Sequence, residues 1–181
     1  MNNFMNFLAI SGSLRKTSYN TAALNALKRL APENIEIIIF GLLDEIPLFN
    51  PDRELEIIPA VVELRKLLST ADGLIIASPE YAHGISGVLK NALDWLVSGP
   101  EFVNKPIMLI NTSPRAYIAM DALREVVTTM SGIIIESACV SVPLLGSNMN
   151  CNEIIAHHEM ADLLRCGLHE FTKEINSAQG D

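Results

Sequence analysis

Five short apolar runs alternate with helical patterns along this chain, and this alternation limits the fold more than any other feature. The runs are NFLAIS (6–11), IEIIIF (35–40), GLIIAS (73–78), PIMLIN (106–111) and IIIESACVSV (133–142). Turn-forming residues bound each run, which is typical of buried strands. Apolar residues at helical spacing fill the intervals at 20–30, 57–68, 85–97, 117–130 and 152 to about 174. The sequence therefore predicts five consecutive βα units.

Strands that are apolar on both faces belong to parallel sheets covered by helices on both sides. Right-handed crossovers then favour a doubly wound α/β fold of three layers, with a five-stranded parallel sheet in the order 2-1-3-4-5. Ligands of such sheets bind at the carboxyl ends of the strands, where strands 1 and 3 diverge. We expect one domain over residues 1–175 and a disordered polar tail, NSAQGD, over 176–181.

Charge and cysteine content exclude several classes of protein. The formal net charge of −8 argues against a partner that is a nucleic acid or an anionic membrane. No run approaches the roughly 20 apolar residues of a membrane span, and the N-terminus lacks the basic region of a signal peptide. Cys139, Cys151 and Cys166 form no CxxC pair, so neither a disulfide framework nor a metal site is predicted. We expect a cytoplasmic protein.

The loop after the first strand, SGSLRKTSYN (11–20), combines donors that bind phosphate. Arg15 offers a planar cation, and the helix that begins near Asn20 offers free N–H groups at its positive dipole end. Under the alternative interpretation, Ser18 or Asn20 only caps the helix and Arg15 and Lys16 are solvated. The hydroxyl donors of the loop are Ser11, Ser13, Thr17 and Ser18.

Other phosphate-binding motifs are excluded by spacing. The loop has neither the G-x-x-x-x-G-K-[ST] pattern of a Walker loop nor the G-x-G-x-x-G pattern of dinucleotide-binding folds. It also lacks the cysteine of a cysteine phosphatase. Ser11 and Gly12 stand where a response-regulator receiver would need acids. The remaining interpretation is a cofactor phosphate whose other end reaches the loop after the third strand.

The loop after the third strand, SPEYAHGISG (78–87), suits a flat ligand. Pro79 favours a turn and Tyr81 offers an aromatic face. Gly84 and Gly87 allow the backbone to approach a ligand closely. The two loops together predict a site for a planar ring system that bears a phosphate.

Both loops resemble motifs of the NAD(P)H-dependent FMN reductase family, flavodoxin-like enzymes related to quinone and chromate reductases. GSLRKTSYN (12–20) is similar to the first motif of the family and SPEYAHGISGVLKNALDW (78–95) to the second. The similarity is strongest over residues 8–98 and continues at the level of the fold to about residue 142. The resemblance implies a flavodoxin-like fold with bound FMN and with NAD(P)H as co-substrate.

The resemblance also implies roles for individual residues. In the third loop, NTSPRAY (111–117), Thr112 and Ser113 would bond the flavin edge and Arg115 would attract the phosphates of the nicotinamide nucleotide. No catalytic side chain is expected because the flavin performs the chemistry, and His83 is a candidate proton donor that the reaction does not require. The expected ligands of the FMN phosphate are Ser13, Arg15, Ser18 and Asn20, with Thr21 beside them. The residues expected to border the isoalloxazine ring are Pro79, Glu80, Tyr81 and Gly84.

The chain departs from the family pattern at three places. Ala82 stands where the family often has Asn, and Ser86 stands where it often has Pro. The third loop has fewer glycines than the family pattern. A contact through the Asn amide is therefore absent here.

The resulting functional hypothesis is an NAD(P)H-dependent oxidoreductase that binds FMN. A hydride would pass from the nicotinamide to the flavin, and two electrons would then pass to a small acceptor such as free flavin, a quinone, an azo compound or a metal oxyanion. The resemblance implies a homodimer or homotetramer, with the helix over 85–97 as a candidate interface. One alternative is a flavodoxin-type one-electron carrier without a nicotinamide site, and another is a protein that kept the fold and lost the cofactor.

Overall fold

A central sheet organises the computed structural model of the protein, which describes residues 4–179. The strands are β1 (Met5–Ser11), β2 (Ile35–Ile39), β3 (Gly73–Ala77), β4 (Glu80–Tyr81), β5 (Gly84–Ile85), β6 (Pro106–Asn111), β7 (Ile133–Ile134) and β8 (Val140–Ser141). The order β2-β1-β3-β6 continues into β7 and β8, which both pair with β6, and every pairing in this sheet is parallel. The predicted order 2-1-3-4-5 is confirmed.

Helices cover both faces of the sheet. They are α1 (Tyr19–Leu30), α2 (Pro59–Thr70), α3 (Gly87–Asp94), α4 (Tyr117–Thr129), α5 (Cys151–Ala156) and α6 (His158–Gln179). Residues of α2, α3 and α4 belong to one buried cluster, and residues of α1, α5 and α6 belong to the other. The three-layer α/β architecture is therefore the one predicted.

Strand β1 shows why the apolar runs indicated a sheet buried on both sides. Leu8 lies in the cluster of α2, α3 and α4, whereas its neighbour Phe7 lies in the cluster of α1, α5 and α6. The rings of Phe7 and Phe171 of α6 have centroids 4.9 Å apart. Because successive side chains of a strand point to opposite faces, both residues are buried only when helices cover both faces.

The fifth predicted strand, 133–142, is interrupted. A 3₁₀ turn, Glu136–Ala138, separates β7 from β8. Glu136 forms an ion pair with Arg124 of α4, while Ala138 is fully buried. Helix α6 lies so close that a Cβ added to Gly167 would be 2.9 Å from the Ala138 carbonyl oxygen. The turn therefore places Ala138 beneath α6 and leaves Glu136 exposed beside Arg124.

Two helix predictions also need correction. Helix α3 begins at Gly87 rather than at residue 85, because the Ser86 side chain accepts a hydrogen bond from the Leu89 N–H as the N-cap. The single helix predicted from residue 152 is present as α5 and α6, since His157 between them has an extended backbone with ψ of 107°. Asn150 begins α5 through a capping box with Glu153.

The polar tail expected over 176–181 begins as helix. Helix α6 continues to Gln179, and Ile175 is 3% exposed in the core one turn before that end. The Ser177 hydroxyl donates to the Lys173 carbonyl, which adds a local bond within this turn. The helix therefore continues past residue 175 to Gln179, and residues 180 and 181 lie outside the described range.

Candidate active site

The carboxyl ends of β1, β3 and β6 meet at one edge of the sheet, where Ser11 pairs with Ala77 and Ala77 pairs with Ile110. The loops that follow these strands line a cleft of about 320 Å³, within the size range of small-molecule sites. The cleft is lined by Ser13, Arg15, Ser18, Tyr19, Asn20, Ser78, Pro79, Glu80, Tyr81, Thr112, Ser113, Arg115, Ala116 and Leu145. It lies at the predicted switch point.

The first two loops are in close contact at Gly12. The Gly12 N–H donates to the Ala77 carbonyl at 2.8 Å. A Cβ added to Gly12 would lie 2.6 Å from Ser78 Oγ and 3.0 Å from Ser86 Oγ. Because Gly12 has no side chain, the first loop can lie this close to the loop after β3.

The start of α1 shows that capping and ligand binding are compatible at Ser18. Ser18 Oγ accepts a hydrogen bond from the Thr21 N–H at 3.3 Å, as an N-cap does, yet Ser18 also lines the cleft. Thr21 does not line this cleft: its hydroxyl lies 2.7 Å from Ser11 Oγ, and its side chain faces a neighbouring cleft. Ser18 thus lies in the cleft, as predicted. Thr21 lies outside the cleft and supports the first loop through its contact with Ser11.

Arg15 and Arg115 supply the positive charge of the cleft. Arg15 is exposed, and no described residue within 4–179 forms a hydrogen bond or an ion pair with its guanidinium. Arg115 lines the cleft from the third loop and is likewise unpaired within that range. Glu80 is the acidic member of the described lining. Two free guanidinium groups give this cleft local positive charge in a chain of net charge −8.

A buried hydrogen bond joins the first and third loops. The Thr112 hydroxyl donates to Asn20 Oδ1 at 2.9 Å, and Thr112 and Asn20 are 4% and 5% exposed. Since the amide oxygen of Asn20 is used in this way, its NH₂ group is the donor left for a ligand. Thr112 therefore orients Asn20, a residue predicted to bind the phosphate, and it also lines the cleft.

Side chains rather than glycines shape the third loop. Asn111 Oδ1 accepts the Ser113 N–H at 3.0 Å, and Ser113 Oγ accepts the Arg115 N–H at 3.3 Å. Short polar side chains stabilise such turns by bonding to the backbone two residues later. The loop therefore turns without the glycines of the family pattern.

The loop after β3 forms a hairpin that was not predicted. Strands β4 and β5 pair antiparallel across a two-residue turn, in which Ala82 has φ of 49° and His83 has φ of 58°. Tyr81 is half-exposed at the cleft, but Gly84 and His83 do not line it. The left-handed positions of this turn are Ala82 and His83 rather than Gly84.

The Glu80 carboxylate bonds to protein groups on both sides. Its Oε2 accepts the Ala119 N–H in the first turn of α4 at 2.9 Å, and its Oε1 lies 3.1 Å from His83 Nδ1. The Ala119 N–H is the main cause that holds the pKa of the Glu80 carboxyl below its ordinary value, and His83 acts in the same direction. Glu80 is therefore an ionised residue of the wall.

The donor set of the cleft is compatible with FMN. Hydroxyl groups, an amide and a guanidinium surround the start of α1, where a phosphate binds favourably. Pro79 and Tyr81 form a wall of the kind that a flat ring contacts, and Thr112 and Ser113 add polar groups. The residues present therefore fit a ligand with one phosphate end and one planar end.

Comparison with known proteins identifies the family of this chain. The model of the NADPH-dependent FMN reductase family matches residues 5–144, which include all three loops of the cleft. The chain belongs to this family.

Two bacterial proteins are similar in sequence to part of this chain. An NAD(P)H-dependent FMN reductase of Pseudomonas aeruginosa is 41% identical over 116 residues, and a quinone reductase of Escherichia coli is 35% identical over 117 residues. Each alignment covers 62% of this chain and 62% of the relative. The matched part thus spans less than two thirds of either relative.

A solved structure extends the likeness to nearly the whole fold. A flavoenzyme of Paracoccus denitrificans, an NAD(P)H:(acceptor) oxidoreductase, superposes with a TM-score of 0.77 at 21% identity. The match covers 96% of this chain and 98% of that one. At 21% identity, this likeness shows that the two proteins share a fold.

Several lining residues of this family member were not predicted. Tyr19 and Ser78 lie within the two motifs and were identifiable by their position there. Ala116 precedes α4, and Leu145 lies in a distant loop that no sequence pattern singled out. The Tyr19 hydroxyl donates to Asn148 Oδ1 and accepts the Asn148 N–H, at 3.4 and 3.2 Å, so it holds that distant loop beside the cleft.

Two further findings concern membrane-spanning helices and metal-binding clusters. Within residues 4–179, no helix is long and apolar enough to cross a bilayer. The same described range holds no group of three His, Cys, Asp or Glu side chains arranged to bind a metal ion.

Substitution of Gly12 is expected to disturb the cleft. In Gly12→Ala the new Cβ would lie 2.6 Å from Ser78 Oγ, so one of the two loops must move. Overpacking of this kind costs about 1–3 kcal/mol, and we expect FMN affinity to fall by roughly tenfold or more. Fluorescence titration with FMN measures the change.

Gly87→Ala is the matched control for this prediction. Gly87, which was expected to let the backbone approach a ligand, does not line the cleft, and a Cβ added there meets no protein atom within 4 Å. We expect this variant to keep the affinity of the unmodified protein for FMN. Equal affinities for all three proteins would show that the contact at Gly12 does not shape the site.

Proposed function

We propose that this protein binds FMN in the cleft and transfers two electrons from NAD(P)H to a small acceptor. One observation carries the proposal: a donor-rich helix start with a free guanidinium and a wall with an aromatic residue line the same cleft at the switch point. The family match over residues 5–144 supports the same function. The bound FMN would supply acceptance of hydride and release of electrons.

At the phosphate end, the first loop would hold the charged group. Arg15 donates a charge-assisted fork, and Ser13, Ser18 and Asn20 donate from the side of α1. The helix start adds free N–H groups and a positive dipole end. Thr21 contributes indirectly through its bond to Ser11.

At the other end, the chain would position the flat ring and leave one side accessible. Pro79 and Tyr81 border the ring, while Thr112 and Ser113 bond its polar edge. Tyr81 is 50% exposed, which leaves room for a nicotinamide or an acceptor beside it. These residues orient the reactants and exclude water, and no side chain is required as a nucleophile.

We propose that quinones are the main class of acceptor. The half-exposed Tyr81 provides an apolar face against which a flat acceptor can pack. The name of the Escherichia coli relative, quinone reductase, supports this choice. Free flavin, azo compounds and metal oxyanions are the acceptors to compare with it.

We propose that the protein acts in the cytoplasm as a homodimer or homotetramer. Its three cysteines are free, as expected in a reducing compartment. Leu48, Leu55 and Ile57 are 83%, 99% and 88% exposed between β2 and α2, and burial of these apolar side chains between subunits would be favourable. Light scattering tests the assembly, and a particle of 19.8 kDa would contradict it.

An anaerobic reduction experiment tests the function. The protein is saturated with FMN, freed of unbound flavin, and mixed with NADPH or NADH while the flavin absorbance is recorded. We expect loss of the oxidised flavin band, followed by its return when a quinone is added. Flavin that stays bound and oxidised with both nucleotides, yet is reduced by dithionite, would favour the one-electron carrier. Protein that binds no FMN would contradict both functions.

Arg115 is expected to act on the nicotinamide nucleotide. Arg115→Ala removes a free cation of the third loop, so we expect the KM for NADPH to rise roughly tenfold while the Kd for FMN changes little. Steady-state kinetics and FMN titration measure the two quantities. Arg53→Ala, which removes a cation paired with Glu56 outside the cleft, is the control. An unchanged KM for NADPH in Arg115→Ala would contradict this role.

A further inference from the structure

Glu80 is mostly buried, although it belongs to an exposed hairpin. Its side chain is 13% exposed, whereas the side chain of its partner His83 is 76% exposed. Both carboxylate oxygens have protein partners, at Ala119 and at His83. A buried carboxylate with such partners has a fixed direction, because leaving them would cost its hydrogen bonds.

The bond to Ala119 compensates for a missing cap on α4. Ala116, the N-cap residue of α4, has no side chain that can accept a hydrogen bond from the first turn. The first N–H groups of a helix need acceptors from outside the helix, and negative charge is favourable there. Glu80 supplies both from the loop after β3. The start of α4 is therefore bonded to the hairpin.

The hairpin itself has a strained turn. Ala82 and His83 both have positive φ, a conformation that costs a non-glycine residue free energy. Only two residue pairs, Glu80 with Ile85 and Tyr81 with Gly84, form the ladder. Such a turn persists when the surrounding structure determines it. Glu80 contributes to this by its contacts with His83 inside the hairpin and with Ala119 outside it.

We propose that Glu80 is a positioning residue that fixes the hairpin to the first turn of α4 and so sets the spacing between two walls of the cleft. Tyr81 stands on one of these walls and Ala116 on the other. The consequence for binding and turnover rests on the proposed function. The bond between Asn20 and Thr112 already joins the first loop to the third, so Glu80 completes the connection of all three loops.

Three variants of Glu80 separate the effects of side-chain length, charge and hydrogen bonding. Glu80→Gln keeps an oxygen that can accept the Ala119 N–H, Glu80→Asp keeps the charge but shortens the side chain, and Glu80→Ala removes both. We expect Glu80→Gln to resemble the unmodified protein. Glu80→Asp and Glu80→Ala should lose the bond. His83→Ala is a comparison variant, because it removes the partner of Oε1 and keeps the carboxylate that accepts the Ala119 N–H.

Hydrogen exchange of the Ala119 amide in FMN-free protein is the first readout. We expect exchange to become roughly tenfold faster in Glu80→Ala and Glu80→Asp, the order expected when a hydrogen bond to a charged group is lost. This readout needs neither flavin nor turnover. It therefore tests the contact even if the proposed function fails.

Binding and kinetics of the loaded protein are the second readout. We expect the Kd for FMN and the KM for a quinone to rise several-fold in Glu80→Ala and Glu80→Asp, with recovery in Glu80→Gln. The visible circular dichroism of bound FMN should change in the same two variants, since it reports the surroundings of the ring. A general loss of folding would not be reversed selectively by Gln.

The proposal is overturned if Glu80→Ala and Glu80→Asp keep the Ala119 exchange rate of the unmodified protein. It is also overturned if exchange accelerates while FMN affinity, the quinone KM and the dichroism of bound FMN stay unchanged. Should Glu80→Ala fail to fold, Glu80→Asp and Glu80→Gln decide the question. Unmodified protein that binds no FMN would instead contradict the proposed function, and the exchange rates would still test the contact.

Discussion

Arg15→Ala should weaken FMN binding more than any other single change in the cleft. The guanidinium has no partner among residues 4–179, so its donors are available for a phosphate. A hydrogen bond to a charged group contributes about 1.5–3 kcal/mol, which corresponds to a rise in Kd of roughly 10- to 150-fold. Titration of the FMN-free protein with FMN, followed by flavin fluorescence, gives this value.

Lys16→Ala is the matched control for Arg15→Ala. Lys16 is the next residue and is also exposed, but it lines only the neighbouring cleft. The two variants lose the same formal charge from the same loop. If the Kd rises equally in both, general electrostatic attraction rather than a direct contact explains the effect. If it rises in neither, the phosphate binds elsewhere.

Trp95→Ala should cause a large loss of stability without direct damage to the cleft. Trp95 is 1% exposed, its indole N–H donates to the Pro47 carbonyl at 2.8 Å, and its ring meets Phe49 edge-on at 5.2 Å. Truncation of a buried Trp costs about 3–5 kcal/mol in the free energy of unfolding. Because this is the single Trp of the chain, urea unfolding is best followed by circular dichroism.

Val97→Ala serves as the control for Trp95→Ala. Val97 lies two residues away and is 62% exposed, so the free energy of unfolding should change by less than about 0.5 kcal/mol. Trp95→Phe should fall between the two, since it keeps a ring but loses the indole N–H bond to the Pro47 carbonyl, which Asn91 Nδ2 still donates to at 3.0 Å. A loss below about 1 kcal/mol in Trp95→Ala would mean that the segment around Pro47 does not depend on this side chain.

The sheet was predictable because its signal is local and repeated. Phe7 and Leu8 are adjacent and both apolar, which requires cover on both faces of the strand. The interruption of the fifth strand was not predictable in the same way. The turn there is accompanied by contacts of Ala138 with α6 and of Glu136 with Arg124, and these residues meet only after the chain has folded.

Positions in the candidate cleft were predictable where a residue type and its place in the fold point to the same location. Arg15 and Ser18 lie beside a helix start that follows a strand, and both line the cleft. Thr21 and Gly84 belong to the same motifs but do not line it, because motif membership does not determine where a side chain points. Leu145 had no signal, since the bond of Tyr19 to Asn148 that holds its loop nearby spans 129 positions.

The interrupted strand at the border of the sheet affects how molecules of the protein can associate in concentrated solution. A long, regular outer strand offers unpaired backbone groups on which strands of other molecules can assemble. Here β7 and β8 offer only two residues each, separated by the turn Glu136–Ala138. Growth of intermolecular β-structure from this border of the sheet is therefore disfavoured.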